Sequence, residues 1–277
     1  MTIRTVPAAA AMSVLALCAA IAPPAPAAEI NMYDGQWHYQ VTPYGWFPSM
    51  SGDLDFTLPS GAGGSPSVSV KPSSYLKDLQ FAAMMYAEAR KGSFALFTDI
   101  IYADIASLKS TVHELRRPGG VISIPLNVDV NVGIKELIWT AGASYTLVRN
   151  DTFSLDALAG VRYGSIKSSL DANSSIAGSG YGFSNGTTQK VNLWDGVVGV
   201  QGRLLLGDDR KWYVPYELDV GAGSNNWVWN GIIGIGYRFE WGNVLVAYRN
   251  LDYRMTGDQL VQNLQMSGPA IGLTLQW

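Results

Sequence analysis

Two histidines outside the N-terminal stretch are the residues best suited to acid–base chemistry in this chain. His113 stands beside Glu114 and downstream of Asp104. A histidine oriented by a carboxylate is half of the machinery that activates a serine in membrane-embedded lipases, acyltransferases and proteases. No recognisable motif places a serine beside His113, so the residue reads as a solvated loop histidine just as well. His38 shares alternate positions with Gln40 and Thr42. Asn127, Asp129 and Asn131 alternate like the opening of a calcium loop. However, the glycine falls at Gly133, one place late, and Ile138 stands where a bidentate Glu should close the site. Polar residues on one face of a Val-rich strand explain the run. Gly61-Ala62-Gly63-Gly64 is followed by no Gly-Lys-Ser/Thr and so is a flexible loop, not a phosphate loop. The sequence contains no metal cluster and no cofactor motif.

A larger set of charges has a different logic. Glu88, Arg90, Asp99, Asp156, Arg162, Asp195, Arg203, Glu217, Asp219, Arg238, Glu240 and Arg249 all fall on the polar phase of alternating segments. Both signs are present and every base is Arg. The eight lysines lie instead in loops, turns or strand ends. A planar guanidinium that binds carboxylate through two bonds suits an enclosed ion-pair network better than a strongly hydrated ammonium. Arg162 and Asp156 are about 20 Å apart along one strand, so each needs a partner on another strand. Cross-strand pairs are expected, with Arg162 or Arg203 touching Asp195, Glu217 or Asp219.

The elements that position these charges are strands. Leu155, Ala157, Ala159, Val161 and Tyr163 alternate with Asp156, Leu158, Gly160, Arg162 and Gly164. Ile233, Ile235, Tyr237 and Phe239 alternate with Gly234, Gly236, Arg238 and Glu240. A period of two with one apolar face is strand patterning. Such segments cover 36–47, 80–90, 93–105, 128–148, 152–166, 190–206, 211–222, 227–241, 243–253 and 262–277. Each is long enough to cross a bilayer as a tilted strand of about 9–11 residues. Tight turns near Gly92, Asn150, Gly207 and Gly242 alternate with longer loops at 49–78, 106–127 and 167–189 and shorter ones at 223–226 and 254–261. Short turns at one end and long loops at the other describe an outer-membrane barrel, with the turns periplasmic. The phase slips at Lys135-Glu136, which suggests a bulge or a rim section above the membrane. Pro43 and Pro215 fall inside strands, where each removes a ladder donor.

The fold class expected is therefore all-β: a closed antiparallel transmembrane β-barrel of about ten strands, with eight or twelve as alternatives. Arg4, an apolar stretch from Val6 to Ile21, and Ala25-Pro26-Ala27 read as a signal peptide cleaved after Ala27. This leaves 1–27 as leader and 28–277 as the barrel. Cys18 leaves with the leader, so the mature chain has no disulfide or thiol chemistry. Charged residues make up only 15% of the chain, against the ~25% of ordinary soluble domains. A net charge of −3 gives no footprint for nucleic acid. Trp37, Tyr39, Tyr163, Trp194, Trp212, Tyr237 and Trp241 gather at strand ends, as interfacial aromatics do.

The chain closes on Ile271, Leu273, Leu275 and Trp277 alternating with Gly272, Thr274 and Gln276. An amphipathic last strand with a terminal aromatic resembles the signal that the outer-membrane barrel-assembly machinery recognises, with Trp277 in place of the commoner Phe. Pro43-Tyr44-Gly45-Trp46 and Ser51-Gly52-Asp53-Leu54, then Met84, Glu88, Arg90-Lys91-Gly92 and Asp99-Ile100-Ile101-Tyr102, resemble an uncharacterised, porin-like family of proteobacterial outer-membrane β-barrels. The resemblance implies outer-membrane lipid and the assembly machinery as partners, and no cofactor. It brings no activity. Three roles follow: a structural or interaction barrel with a side-chain-filled lumen, a narrow channel for small or apolar solutes, or a membrane-embedded hydrolase. Wide aqueous pores need about sixteen strands, so ten leave at most a narrow lumen. The oligomeric state is open.

Overall fold

In the computed structural model, which describes residues 31–54, 56–57, 63–64, 67–112, 128–175, 182–255 and 261–277, the alternating segments become strands. In chain order they are β1 (Trp37–Trp46), β2 (Ser49–Leu54), β3 (Phe56–Thr57), β4 (Gly63–Gly64) and β5 (Ser67–Val70). A single helical turn, α1 (Pro72–Tyr75), follows. Then come β6 (Leu79–Lys91), β7 (Phe94–Val112), β8 (Val128–Arg149), β9 (Phe153–Ser175) and β10 (Gly182–Leu206). The last four are β11 (Trp212–Ala222), β12 (Asn226–Phe239), β13 (Gly242–Met255) and β14 (Val261–Gln276). The expected leader, 1–27, lies outside the described residues, as do His113, Glu114 and Asn127.

Ten strands, β1 and β6 through β14, pair antiparallel with their sequence neighbours, and β14 returns to β1. The barrel is closed. Gln40 faces Gln276 and Val41 faces Leu275 across the seam. Tyr39 and Trp277 exchange both backbone bonds, at 2.8 and 3.0 Å, and their rings stack. Past Phe47-Pro48, β2 carries the line of β1 onward along β14 and also pairs with β5. The ring leaves no free edge in the wall, which is what allows a sheet to stand in a medium that cannot hydrogen-bond. At the short-turn end the chain reverses in few residues. Gly92 adopts φ 58, a conformation costly for any residue with a Cβ. The Asn150 side chain instead accepts from the Thr152 and Phe153 amides.

The wall extends further than the apolar periodicity indicates. The loops expected at 106–127 and 167–189 are shorter, because β7 continues to Val112, β9 to Ser175, and β10 begins at Gly182. In water, strands need no apolar outer face, so the hydrophobic signal fades while the ladder continues. The phase slip at Lys135-Glu136 is not a bulge. Asp104 pairs with Lys135 and Ala103 with Glu136 in unbroken register, as do Lys167 and Ile166 on the other side. The irregularities fall instead between Ile105 and Leu108 and between Thr146 and Val148. The apolar residues change phase because the barrel interior itself turns apolar at that height, so Ile134 and Ile138 point in while Leu137 and Trp139 point out. Each proline interrupts one of its two ladders without shifting register. Beside Pro43 the β1–β14 pairing skips from Val41 to Tyr44, and beside Pro215 the β11–β12 pairing skips from Tyr213 to Tyr216.

Val161, Val198, Leu218, Ile233, Ile235, Val246 and Ile271 stand exposed on the outer face. Along β9 the band runs from Phe153 to Tyr163, ten residue steps of about 3.4 Å. At a tilt of about 40° that is near the ~25 Å apolar height of outer-membrane barrels. Aromatic clusters border it: Trp37–Tyr39–Trp277 and Trp212–Tyr237–Phe239–Trp241 at the short-turn end, Phe81–Tyr102 and Tyr163–Trp194 at the other. Among the described residues, the closely packed apolar core is inside. Trp46, Ile101, Ile138, Leu193, Val228, Leu251, Tyr253, Met255 and Met266 fill the long-loop half of the lumen. Above them α1 sets Tyr75 against Ile105, with its hydroxyl donating to the Pro48 carbonyl at 2.9 Å. Burial, aided by the Glu136 carboxylate, pushes the Tyr75 phenol up to about 12.

Candidate functional site

Inward-facing charges at mid-height form two connected groups. In the lower group, Arg90 on β6 bonds Glu88 Oε1 at 2.8 Å, reaches across to Asp156 on β9, and donates to Thr146 Oγ1 at 3.0 Å. Tyr86 donates to the other Glu88 oxygen at 2.8 Å. In the upper group, Arg162 donates through Nε to Thr140 Oγ1 at 3.0 Å and through Nη2 to Asp219 Oδ2 at 3.0 Å. Its Nη1 lies 2.9 Å from Asp219 Oδ1, too oblique for a hydrogen bond. Asn230 donates to both Asp219 and Glu217, each at 2.7 Å, and accepts from Arg249 Nε at 2.9 Å. Arg249 then spans the lumen from β13 to Asp99 on β7, at 2.8 Å, and to the Tyr44 hydroxyl at 3.0 Å. Tyr44 itself donates to Asp99 at 2.7 Å. Side chains from eight strands, β1, β6 to β9 and β11 to β13, with one guanidinium crossing the lumen, thus form a belt.

The belt is enclosed. Arg90, Arg162, Arg249, Asp156 and Asp219 are buried, and Asn230 is entirely so. Taking ions out of water costs several kcal/mol each, which is offset only by good geometry and satisfied hydrogen bonds. Multiple bonds per guanidinium meet most of that requirement, while Asp156 Oδ1, Arg162 Nη1 and Asp219 Oδ1 have no hydrogen-bond partner among the described residues.

The sequence-derived residues divide as follows. Glu88, Arg90, Asp99, Asp156, Arg162, Glu217, Asp219 and Arg249 meet in the belt. Asp195 stands directly opposite Arg162 across the β9–β10 pairing, but its side chain accepts from Asn226 at 2.6 Å and makes no ion pair with Arg162 or Arg203 among the described residues. Arg203 faces the lumen beside Tyr213 but makes no ion pair among the described residues. Arg238 faces inward near the short-turn end, also close to Tyr213. Glu240 is a correction. It is exposed in the turn between β12 and β13, because β12 ends at Phe239 and the hairpin turns the chain outward before residue 240. Tyr44, Tyr86, Thr140 and Asn230 complete the belt and carry no charge at neutral pH, so a search for charged residues passes over them. Their only sequence signal is that they share the polar phase. Glu136 is a further buried inward carboxylate, and its Oε1 has no hydrogen-bond partner among the described residues.

On the short-turn side of the Arg249–Asp99 crossing, with belt residues in its own wall, lies a cavity of about 200 Å³, lined by Glu88, Arg90, Asp156, Arg203, Tyr213 and Glu217 among others. None of the nine buried residues of the apolar cluster lines it. The cavity therefore ends where the apolar filling begins. Its short-turn mouth is partly covered by the segment before β1. Tyr33 lines the cavity and lies against two guanidinium groups, 5.1 Å from Arg90 and 4.0 Å from Arg149. Arg149 also reaches Asn31 at 3.4 Å. His38 bonds Asp34 at 2.7 Å, while the Gln36 amide and then His38 hold the Asp34 carboxyl below its ordinary value. Of the remaining catalytic candidates, Asp104 bonds Lys135 at 2.6 Å.

No protein-family model and no curated protein matches the sequence. Solved structures do match the fold. The outer membrane protease OmpT from Escherichia coli superposes with a TM-score of 0.52 at 10% identity, over 90% of this chain and 99% of that one. The translocator domain of the autotransporter NalP from Neisseria meningitidis gives 0.38 at 12% identity, over 88% and 90%. The attachment invasion locus protein Ail of Yersinia pestis gives 0.30 at 8%, over 87% and 99%. At such identities the likeness to OmpT is one of fold: this chain has the architecture of an outer-membrane β-barrel.

Proposed function

We propose that the chain is exported by a leader cleaved after Ala27, assembled into the outer membrane through its Trp277-terminated last strand, and kept there as a sealed barrel. Its role is structural or interactive and is exercised at the long-loop end. It is neither an open pore nor a hydrolase. The observation that carries this reading is the blocked lumen. Arg249 crosses to Asp99, and the nine-residue apolar cluster fills the space above. Outer-membrane lipid meets the apolar band, and the barrel-assembly machinery meets the seam strand. The parts of β7–β10 beyond the aromatic border present a surface at that end.

The cavity beneath the Arg249–Asp99 crossing favours a narrower second reading, in which a small polar solute enters from the short-turn side and stops at that crossing. Liposome swelling separates these from a conduit. Vesicles carrying the barrel should not swell in isotonic solutions of small sugars or amino acids. Swelling at rates typical of a porin would overturn the sealed-barrel reading.

A further inference from the structure

On the outer face of β8, β9 and β10, three residue rows run straight across the strands. Trp139 pairs with Tyr163, and Tyr163 with Trp194, forming an aromatic row at the long-loop border of the apolar band. Two residues further along, Leu137, Ser165 and Asn192 form a more polar row, in which Tyr163 donates to Asn192 at 3.0 Å. Two residues beyond that, Lys135 pairs with Lys167, and Lys167 with Lys190. All three lysines are exposed. Asp104, at the β7 end of the same row, bonds Lys135 at 2.6 Å. Lys167 and Lys190 make no ion pair among the described residues.

Like charges directly opposite each other on neighbouring strands destabilise the pair, with Cα atoms only about 4.5–5.5 Å apart. A barrel that places two ammonium groups this way gains when an anion lies between them. The height of the row identifies which anion. Four residue steps separate it from the aromatic row, about 13 Å along the strand and about 10 Å along the barrel axis at the usual tilt. Aromatic girdles mark the edge of the hydrocarbon region. The lysines therefore stand at the level of lipid headgroups, and their flexible stems can reach back toward the membrane.

We infer that Lys167 and Lys190, flanked by Ser165 and Asn192, bind the phosphomonoester headgroup of a lipid in the leaflet on the long-loop side. This inference rests on the membrane reading above. A phosphomonoester carries about −1.5 to −2 charges at neutral pH, which matches two ammonium groups. A carboxylate would neutralise only one. The acyl chains of such a lipid lie along the aromatic row and the apolar band beneath it.

The test is native mass spectrometry of the full mature barrel in neutral detergent, titrated with phosphatidic acid against phosphatidylcholine. Preferential retention of phosphatidic acid is expected. Basic residues near a membrane surface contribute about fivefold each, so Lys167→Gln/Lys190→Gln should weaken binding roughly 30-fold. Lys211→Gln, at the opposite end, should leave it unchanged. Equal retention of both lipids, a double variant within threefold of wild type, or displacement by millimolar inorganic phosphate would each overturn the proposal, the last by showing a free-anion site. Insertion of both proteins into pure phosphatidylcholine vesicles, read by the heat-dependent gel shift, keeps the two readings apart. Normal insertion with no lipid preference refutes the headgroup site alone, whereas failure of wild type to insert refutes the membrane reading and the site with it.

Discussion

Replacing Arg249 with Met puts the belt under its sharpest test. Arg249 is buried, and its guanidinium makes three bonds: to Asn230 at 2.9 Å, Asp99 at 2.8 Å and Tyr44 at 3.0 Å. Methionine fills much of the stem volume but leaves Asp99 with only the Tyr44 hydroxyl. Removing one partner of a buried pair costs about 3–5 kcal/mol, because the other charge is left uncompensated. With a urea slope of about 1–3 kcal/mol/M, the unfolding midpoint in short-chain phosphatidylcholine vesicles should fall by at least about 1 M, followed by Trp fluorescence. Asp99→Asn added to that background should restore part of the loss, since a neutral amide no longer needs the guanidinium. The coupling between the two sites should be within the ~0.5–3 kcal/mol of contacting residues. A loss below about 1 kcal/mol, or strict additivity, would refute the claim that the crossing pair holds the lumen together.

Three further outcomes follow from the wall. Leu218→Arg, mid-band on β11 and half exposed, should cost about 2–4 kcal/mol if that face meets lipid; a neutral effect on folding would mean the face meets water. Deleting Trp277 removes the reciprocal bonds to Tyr39 and the stacked ring at the seam, so the fraction of heat-modifiable barrel in the outer-membrane fraction should drop, and unchanged levels would count against an assembly signal. A Cβ at Gly236 would run into the Tyr213 ring, so Gly236→Ala should cost about 1–3 kcal/mol by overpacking, with Tyr213→Leu as the compensating change; wild-type stability in the single variant would show that Tyr213 does not rest there.

The parts of this fold readable from sequence are those where strand alternation crosses the membrane. Phe153 to Tyr163 alternate because one face meets an apolar medium and the other a polar lumen, and both sides of the wall leave a trace. Where β7, β9 and β10 continue into water, the outer face loses its apolar requirement and residues beyond Ile105 or Ile166 read as loop. The interior was legible in part. Arg162, Asp219 and Arg249 announce themselves as charges on the polar phase, but their partners depend on which strands face each other across the lumen, which periodicity cannot give. Thus Arg162 meets Asp219 two strands away, while Asp195, equally in phase and on the adjacent strand, pairs with Asn226. The apolar filling was hidden for a related reason. Ile101, Ile138, Val228 and Leu251 sit on the inward phase of strands whose inward residues are elsewhere polar, so they look like interruptions of the pattern although they are the plug.

The central claim is that this barrel is closed along its axis, and single-channel recording in planar bilayers tests it most directly. Purified wild-type barrel, shown to be inserted by its heat-dependent mobility, should give no stable conductance steps in molar KCl at moderate voltage, because the Arg249–Asp99 crossing and the apolar cluster above it interrupt any water path. Regular, ohmic steps from the wild-type protein would contradict the account and would make the inward charges the lining of a channel.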